Sequence, residues 1–582
     1  VDAGDGLPRA APHEGVSQGE RVRAGASGRE QGWGWAGLGW AEQDVRVGVM
    51  FIRRPRRPSL LVFALGKAGE GGQDGCPFTA QTEDPVTHNP DLSRRTFVGL
   101  TAVGLGAAIT TAPAGAAVGA VLPGEAASAR RRPRGPGYGP LVPDPAGLLD
   151  LPAGFHYTVL AVAGNSGNPI PATVLADGGE PSPSRYDGTG SFPRRGGGWV
   201  LVSNHENGSR ASAPVPHRSG ITYDEGSPKG GTTSITVDKR GNRVAEVVSL
   251  AGTWSNCAGG VSPWGTWLSC EESEQKVNAA LDVRKDHGYV FEVRPLDPTN
   301  ALNARPIKAF GRFPHEAVVV DPLRGHVYST EDASNPNGLL YRWSPDGQAP
   351  RGFGDLADDA GTLEAMYAAD GGVFVPDLSV YSRLGATLEV RWVSVPDRDA
   401  RTISTRKQFN HAAMPAAPGG DVTRSRKLEG MWWGDDGFYF DASFARSSDG
   451  SAGQHDGQIW FYDARRGTIT LKSYYAYTPA NQDAGVDGPD NLTVNPYGGL
   501  VLCEDGNGKN HLVLDDLEGG WAFLALNRQD SEMAGANFSA NGQILFANSQ
   551  DPGVVFAITG PWKAVRAESD DEHGGDDKSG KG

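Results

Sequence analysis

From residue 146 to 565, hydrophobic positions fall into short runs bounded by polar residues and tight turns. Two runs form a unit: a polar or acidic residue opens the first run, a turn follows, and the second run ends on an acid or an amide. In one copy, His315-Glu316 opens run 317–320, Asp321-Pro322-Leu323-Arg324-Gly325 forms the turn, and run 326–329 ends at Thr330-Glu331-Asp332. Runs of this kind predict paired β-strands.

The same unit recurs along the chain, with further copies around 256–272, 429–441, 489–505 and 537–548. In an antiparallel hairpin, the start of the first strand and the end of the second lie at the same end. Radial repetition of the unit gathers these polar ends at one mouth, as in a β-propeller. A linear β-solenoid is the alternative, but the units are longer and less regular than solenoid coils. The pattern predicts an all-β propeller.

Composition supports many short strands joined by turns. The 582 residues include 82 Gly and 41 Pro, with 14 Trp, 15 Tyr and 20 Phe, which is too aromatic for a disordered chain. The formal net charge of -15 argues against a nucleic-acid partner and fits metal cations better. Four cysteines do not make a disulfide framework. We expect a monomer with no stable membrane span in its mature form.

The first 145 residues divide into three predicted segments. Residues 86–129 are expected to be a twin-arginine signal peptide, because Ser93-Arg94-Arg95-Thr96-Phe97 precedes a weakly hydrophobic stretch that ends at the small-residue site Ala127-Ser128-Ala129. Residues 1–85 show no sustained helix or strand period and are interpreted as a mis-called start or a disordered prefix. Residues 130–145 are expected to be a linker, and 566–582 an acidic disordered tail. The signal predicts the twin-arginine export machinery as a partner and a secreted, periplasmic or cell-envelope location.

One segment, 256–272, carries the most chemistry. It places Cys257 in a Gly-rich loop, before a Pro-Trp-Gly turn and a short strand that leads into Glu271-Glu272. A thiolate is a soft metal ligand and a carboxylate is a hard one, so the two together suggest a mixed-metal site. The alternative for Cys257 is a small buried residue in a Gly loop. Cys270 and Cys503 lie inside strands and are expected in the core.

Other units place ligand-type residues at the same predicted mouth. Several acids that face one channel repel each other unless a cation lies among them. Oxygen ligands alone suit Ca²⁺ or Mg²⁺, and an added thiolate favours iron. For any single acid, a turn cap or a solvated loop residue is the alternative. The candidate ligands are Glu206, Cys257, Glu271, Glu272, Glu316, Glu331, Asp332, Glu429, Asp490, Asn491, Glu504 and Asp505.

A basic residue lies next to one of these acids. Lys427 is two residues before Glu429, so both side chains share one face if the strand has begun there. Such a pair could hold an anionic substrate beside a metal. A solvent-exposed basic loop is the alternative.

At these residues the chain resembles the PhoX family of secreted alkaline phosphatases. The resemblance spans about 150–562. Its motifs are Asn204-His205-Glu206, 230–233, 256–272, 311–317, Thr330-Glu331-Asp332, Glu429-Gly430, 489–492, 503–506 and 556–562. It implies a six-bladed propeller, a site of iron (Fe³⁺) and calcium (Ca²⁺) ions around a bridging oxo group, and hydrolysis of phosphate monoesters, small phosphate-ester substrates, with release of inorganic phosphate. Phosphodiesterase or phytase activity on the same scaffold, or a non-catalytic calcium-binding propeller, are the alternatives.

The resemblance also implies roles for individual residues. Cys257 resembles the iron-binding cysteine, while Glu316 and Glu429 resemble the iron-side carboxylates. The calcium side is expected to contain Glu206, Glu271 and Glu272, and the further expected metal ligands are Asp490 and Glu504. Lys427 and Glu429 are the expected catalytic residues. Lys427 stands where the family pattern has an arginine that grips phosphate, and lysine keeps the charge but lacks the bidentate fork.

Overall fold

The computed structural model describes two short strands near the N-terminus and residues 137–565, except 166, 358, 359, 480 and 481. It contains two compact units, Val1–Val98 and Gly99–Gly582. In the first unit, β1 (Val47–Arg54) pairs antiparallel with β2 (Arg57–Ala64). The sequence does not predict this hairpin, because 1–85 shows no strand period. The predicted signal peptide and acidic tail lie outside the described residues.

The second unit begins with three strands that join sheets completed at the far end of the chain: β3 (Leu141–Val142), β4 (Leu149–Pro152) and β5 (His156–Val162). The predicted linker therefore ends before residue 145. Blade 1 contains β6 (Tyr186–Pro193), β7 (Trp199–His205), β8 (Gly230–Val237) and β9 (Arg243–Thr253). Blade 2 contains β10 (Gly260–Val261), β11 (Trp267–Cys270), β12 (Val290–Val293) and β13 (Pro306–Ile307).

Blades 3 and 4 join through their outer edges. Blade 3 contains β14 (His315–Val320), β15 (Val327–Glu331), β16 (Gly338–Ser344) and β17 (Thr362–Asp370). Between the blades lie β18 (Val373–Val375), β19 (Thr387–Ser394) and β20 (Arg424–Ser425). Blade 4 contains β21 (Leu428–Gly434), β22 (Gly437–Ala442), β23 (Gly457–Asp463) and β24 (Thr468–Tyr475). Because β19 pairs with both β17 and β24, the two blades form one continuous sheet.

The last two blades complete the circle. Blade 5 contains β25 (Pro489–Val494), β26 (Leu500–Glu504), β27 (His511–Asp515) and β28 (Trp521–Asn527). Blade 6 contains β29 (Met533–Phe538), β30 (Leu545–Ser549) and β31 (Val554–Thr559). The early strand β5 pairs with β31 as the fourth strand of blade 6, and β4 extends blade 5 beside β28. The first strands of the second unit are therefore paired within blades 5 and 6, which the end of the chain forms.

The first strands of the six blades form a closed ring. In that ring, β6 lies next to β10, followed by β14, β21, β25 and β29, and β29 returns to β6. Closure excludes the solenoid and confirms the predicted all-β propeller with six blades. Among the described residues there is no α-helix, and the loops contain short 3-10 helices: Ala279–Leu281, Ala301–Ala304, Lys308–Phe310, Asp355–Ala357, Leu378–Val380, Thr405–Gln408, Ser447–Asp449, Gln482–Ala484 and Trp562–Val565.

Hydrophobic side chains fill the spaces between neighbouring blades. Between blades 3 and 4, for example, Tyr328 packs against Phe438 and Tyr462, all three nearly or fully buried. Packing of this kind removes apolar surface from water, which is the main favourable term in folding. The inner strands are therefore held rigidly, and side chains at their starts keep fixed positions.

Candidate metal centre

The chain enters five of the six inner strands through the same local geometry. Each of five residues adopts a left-handed conformation, with φ between 48° and 61°, two positions before a ligand-type side chain. These residues are Arg185, Ser255, Lys427, Gly488 and Asp530, and they precede Asp187, Cys257, Glu429, Asp490 and Glu532. The remaining strand has Pro314 two positions before Glu316, where the proline ring fixes φ at a negative value. The repeat thus delivers a potential ligand to the same point of every blade.

Irregular strand pairing accompanies this geometry. The ladders of β6, β14, β21 and β25 shift register at Asp187, Glu316, Glu429 and Asp490, so each acid lies in or beside a bulge at the start of its strand. A bulge re-aims a side chain away from the regular alternation, which is why bulges occur next to functional sites. The residue after Asp187 is a glycine, which lets the backbone of this bulge pass close to the cysteine loop. A Cβ on Gly188 would lie 1.7 Å from the Ala258 carbonyl oxygen.

Three groups of donor atoms result, each with its atoms within 4.8 Å of one another. We call them the thiol group, the joint group and the carboxylate group. The thiol group contains Glu206, Cys257 and Glu272; the joint group contains Asp187, Glu206 and Glu532; the carboxylate group contains Glu316, Glu429 and Asp490. Glu206 belongs to both the thiol group and the joint group, so these two groups are adjacent.

The cysteine loop is held firmly in place. The Asn204 side-chain NH₂ donates to the Cys257 carbonyl oxygen, while Asn204 Oδ1 accepts from Trp267 Nε1 at 2.9 Å. The Cys257 thiol lies 3.5 Å from Glu272 Oε2. The next backbone N–H, that of Ala258, donates to Glu316 Oε1 at 3.3 Å and so brings the carboxylate group up to the loop.

The electrostatics of the mouth favour bound cations. Burial, and then the nearby Glu206 carboxylate, raise the pKa of Asp187 to about 7. Burial and the Glu429 carboxylate raise the pKa values of Glu316 and Asp490 well above their usual range. Burial and neighbouring carboxylates likewise raise the pKa of the Cys257 thiol. Without cations these groups would bind protons, whereas metal ions would stabilise their charged forms.

Lys427 faces the carboxylate group, as the sequence predicts. Its ammonium forms an ion pair with Glu429 and lies 3.4 Å from Asp332 Oδ2, and its side chain is only 6% exposed. The adjacent Arg426 does not replace it. The Arg426 guanidinium lies 3.3 Å from Asp332 Oδ1 and over the Phe444 ring.

The structure does not bring two of the predicted metal ligands, Glu271 and Glu504, into these groups. Glu271 accepts from His287 Nδ1 at 2.6 Å, and from the backbone N–H groups of Trp254, Gly288 and Tyr289. Glu504 accepts from the backbone N–H groups of Asp487 and His511 and from the His511 ring. Their oxygens accept hydrogen bonds that tie loops together, and neither residue belongs to the three groups.

Sequence reasoning missed two members of the groups, Asp187 and Glu532. Asp187-Gly188 repeats the acid–glycine pair of Glu429-Gly430, and this signal could have identified it. Glu532 directly precedes β29, and burial together with Asp505 raises its pKa well above the usual range. The described cysteines Cys257, Cys270 and Cys503 are all free and buried, as expected of the latter two as core residues.

The fold and its mouth define a class: a six-bladed β-propeller whose inner strands bring together, at one end, carboxylate and thiol side chains that could hold metal ions. The family model of alkaline phosphatase PhoX matches residues 136–553. The chain therefore belongs to the alkaline phosphatase PhoX family, which confirms the resemblance and supports a phosphatase.

Solved structures with similar folds are distant. They include the gluconolactonase XC5397 from Xanthomonas campestris (14% identity, TM-score 0.32, 73% of this chain and 98% of that chain). The PQQ domain of pyranose dehydrogenase from Coprinopsis cinerea follows (11%, 0.31, 72% and 98%), as does the Neurospora crassa Pan2 WD40 domain (7%, 0.29, 70% and 95%). No curated protein matches the chain. Among the described residues, no helix is long and apolar enough to cross a membrane.

Proposed function

We propose that this protein is an exported phosphatase that hydrolyses phosphate monoesters with iron and calcium ions bound at the propeller mouth. Membership of the PhoX family supports the phosphatase chemistry. The observation that carries the metal centre is the convergence of a thiol and seven carboxylates in three groups, two of which share Glu206: Glu206, Cys257 and Glu272; Asp187, Glu206 and Glu532; and Glu316, Glu429 and Asp490.

The donor atoms fit the proposed ions. Thiolate with carboxylates suits iron, so we assign iron to the part of the mouth that contains Cys257. Oxygen-only ligands suit calcium, which we assign to positions lined by carboxylates alone. This assignment differs from the one that the resemblance implies, because Cys257 groups with Glu206 and Glu272 rather than with Glu316 and Glu429. The raised pKa values of Asp187, Glu316 and Asp490 support this fit, because bound cations would offset the burial and the carboxylate repulsion that raise them.

In the proposed reaction, bound cations supply Lewis acidity at the phosphoryl group. The chain's own residues do the rest by positioning. The inner-strand carboxylates fix the ions on a rigid ring, and Lys427 holds a positive charge beside Glu429, where it can contact a phosphoryl oxygen. The rigid ring keeps these charges in place before the substrate arrives, which lowers the cost of reorganisation.

Turnover of p-nitrophenyl phosphate by calcium- and iron-replete protein tests the proposal. We expect hydrolysis, and elemental analysis should find both metals. Cys257→Ala should lose iron, whereas Cys503→Ala, which removes a buried thiol outside the three groups, should keep it. Absence of hydrolysis in fully loaded protein would reject the phosphatase proposal, and retained iron in Cys257→Ala would reject the iron assignment.

A substrate panel separates the alternatives on the same scaffold. Preference for a diester or for phytate would point to phosphodiesterase or phytase activity. Calcium without iron, and no hydrolysis of any ester, would point to a non-catalytic calcium-binding propeller.

Export is proposed from the signal Ser93-Arg94-Arg95-Thr96-Phe97 alone. Fractionation of cells that produce the whole chain should find the activity outside the cytoplasm. Replacing Arg94 and Arg95 by Lys should retain it inside, and unchanged export would contradict the twin-arginine route.

A further inference from the structure

Two cations occupy equivalent positions on opposite sides of the propeller. Arg185 (φ 54°) and Lys427 (φ 48°) each adopt the left-handed conformation two positions before the bulge acid of their strand, Asp187 and Glu429. Their strands, β6 and β21, lie three places apart in the ring of six, which makes blades 1 and 4 opposite. The equivalent residues of blades 2, 5 and 6 are uncharged or acidic: Ser255, Gly488 and Asp530.

The conformation itself is informative. Left-handed backbone favours glycine, and one of the five equivalent positions does hold Gly488. Long side chains at two of the others are kept against this preference. Non-glycine residues held in this region occur more often at functional sites, where the surrounding structure imposes them.

The two cations differ in how firmly they are held. Lys427 is 6% exposed and forms ion pairs with Glu429 and Asp332. The Arg185 side chain is 39% exposed, and its Nη1 lies 3.6 Å from Glu206 Oε2, longer than a hydrogen bond. The Arg185 carbonyl oxygen accepts from Glu206 N at 3.0 Å, which fixes its backbone at the edge of the thiol and joint groups. Because the Arg185 backbone is fixed while its ion pair is long and its side chain partly exposed, the guanidinium can rotate to contact a ligand.

Arginine supplies what lysine lacks at a phosphate site. A planar guanidinium binds two phosphoryl oxygens at once, whereas an ammonium acts as a point charge. The neighbouring Arg426 is engaged by Asp332 and Asp449 and lies against Phe444, with its side chain 19% exposed. Arg185 is therefore the arginine placed to complement Lys427.

We propose that Arg185 binds the phosphoryl group of the substrate from the side opposite Lys427, through a bidentate guanidinium contact. The proposal rests on the proposed phosphatase function and deepens it. Two cations carried by opposite blades match the dianionic phosphoryl group of a monoester. A diester carries one negative charge and offers fewer free oxygens, so Arg185 favours monoesters.

Kinetics of Arg185→Ala and Arg185→Lys test this role. With p-nitrophenyl phosphate we expect Arg185→Ala to raise KM about 10-fold or more and to weaken inhibition by inorganic phosphate by the same factor, with a smaller change in kcat. Arg185→Lys should recover part of the loss. With bis(p-nitrophenyl) phosphate the change should be less than about 3-fold. Metal content should stay at the wild-type value.

Arg195→Ala is the matched control, because Arg195 is exposed in the turn at the opposite end of β6. It should leave KM and phosphate inhibition unchanged. Unchanged KM and phosphate inhibition in metal-loaded Arg185→Ala would overturn the proposal, as would metal loss that accounts for the whole defect, since Arg185 would then act only through Glu206.

The two proposals fail in different ways. A wild-type protein that hydrolyses neither ester rejects the phosphatase function. Calorimetric titration with inorganic phosphate needs no turnover, so it still tests Arg185: equal binding by wild type and Arg185→Ala overturns the role, and weaker binding by the variant supports it.

Discussion

Acids in two different positions of the blade have opposite fates. Those at the start of the first strand, Asp187, Glu316, Glu429 and Asp490, converge on the mouth in the joint and carboxylate groups. Those at the end of the second strand, Glu271, Glu331 and Glu504, are occupied within the protein. We call the first set the inner acids and the second set the tether acids. Both sets are carboxylates, so the difference lies in the backbone N–H groups and side chains that reach each acid: Glu206 and Glu272 also follow a second strand, yet both belong to the mouth groups.

The tether acids share one structural task. Glu271 binds the backbone N–H groups of Gly288 and Tyr289, and Glu504 binds that of His511, so each fixes the loop that follows its strand. Glu331 accepts from Tyr341 and pairs with Arg406 at 3.1 Å, which anchors the 3-10 helix Thr405–Gln408. Loops fixed in this way hold the rim of the mouth rigid around the inner acids.

Glu429→Gln changes one of the inner acids and should have the largest effect on activity. The variant removes a charge that faces both the carboxylate group and Lys427. Loss of groups that merely support a metal ligand costs about 10–100-fold, so loss of a ligand should lower kcat/KM by more than about 100-fold. Elemental analysis should find less metal while the melting temperature of the apo protein is maintained. Full metal content and activity would remove Glu429 from the site.

Glu504→Ala removes one of the tether acids and should lower stability rather than activity. It leaves two backbone N–H groups and the His511 ring without their acceptor, which should lower the free energy of unfolding by about 2–4 kcal/mol. Urea denaturation measures the loss. Metal-loaded Glu504→Ala should keep kcat/KM within about 3-fold of wild type, because no member of the three groups changes. Metal loss in folded Glu504→Ala would instead make Glu504 a ligand.

The pH dependence of folding stability in the metal-free protein tests the inner acids, and it should be the smallest of the three effects. The pKa of Asp187 is about 7 in the fold and about 4 in an unfolded chain. Between these values the folded state binds the extra proton, so stability is full below pH 4 and falls as pH rises towards 7, by up to about 1.4 kcal/mol per pH unit for this group.

Thermal melts of chelator-treated protein measure this effect. The melting temperature at pH 5 should exceed that at pH 7, and Asp187→Asn should reduce the difference. Added calcium and iron should restore stability at the higher pH, since cations replace the protons. A metal-free protein that becomes more stable as pH rises from 5 to 7 would contradict the proposed repulsion among the inner acids.

Local sequence was sufficient for the strands and for much of the site. Short apolar runs separated by Asp-Pro-x-x-Gly turns specify hairpins, because strand alternation and turn chemistry depend on near neighbours. The unit that contains Glu316 shows this, since the predicted run 317–320 lies inside β14 and the predicted run 326–329 overlaps β15 from Val327 onward. Cys257, with its Gly-rich loop, was recognisable for the same reason.

Adjacent acids show where local information ends. Glu271 and Glu272 both follow β11, yet only Glu272 lies in the thiol group. The difference comes from the backbone N–H groups of Gly288 and Tyr289, which satisfy Glu271 from the other end of the loop. No spacing rule in the sequence specifies where that loop returns.

The sequence alone predicts a β-propeller of repeated hairpins, its family, and a mouth that contains Cys257, Glu316, Glu429 and Lys427. Only the tertiary structure decided which residues meet there, because Asp187 and Glu532 come from blades 1 and 6 and become neighbours only when β5 closes the ring. It also placed Arg185 opposite Lys427. Contacts between residues far apart in the chain depend on ring closure and inter-blade packing, which act over the whole fold rather than between sequence neighbours.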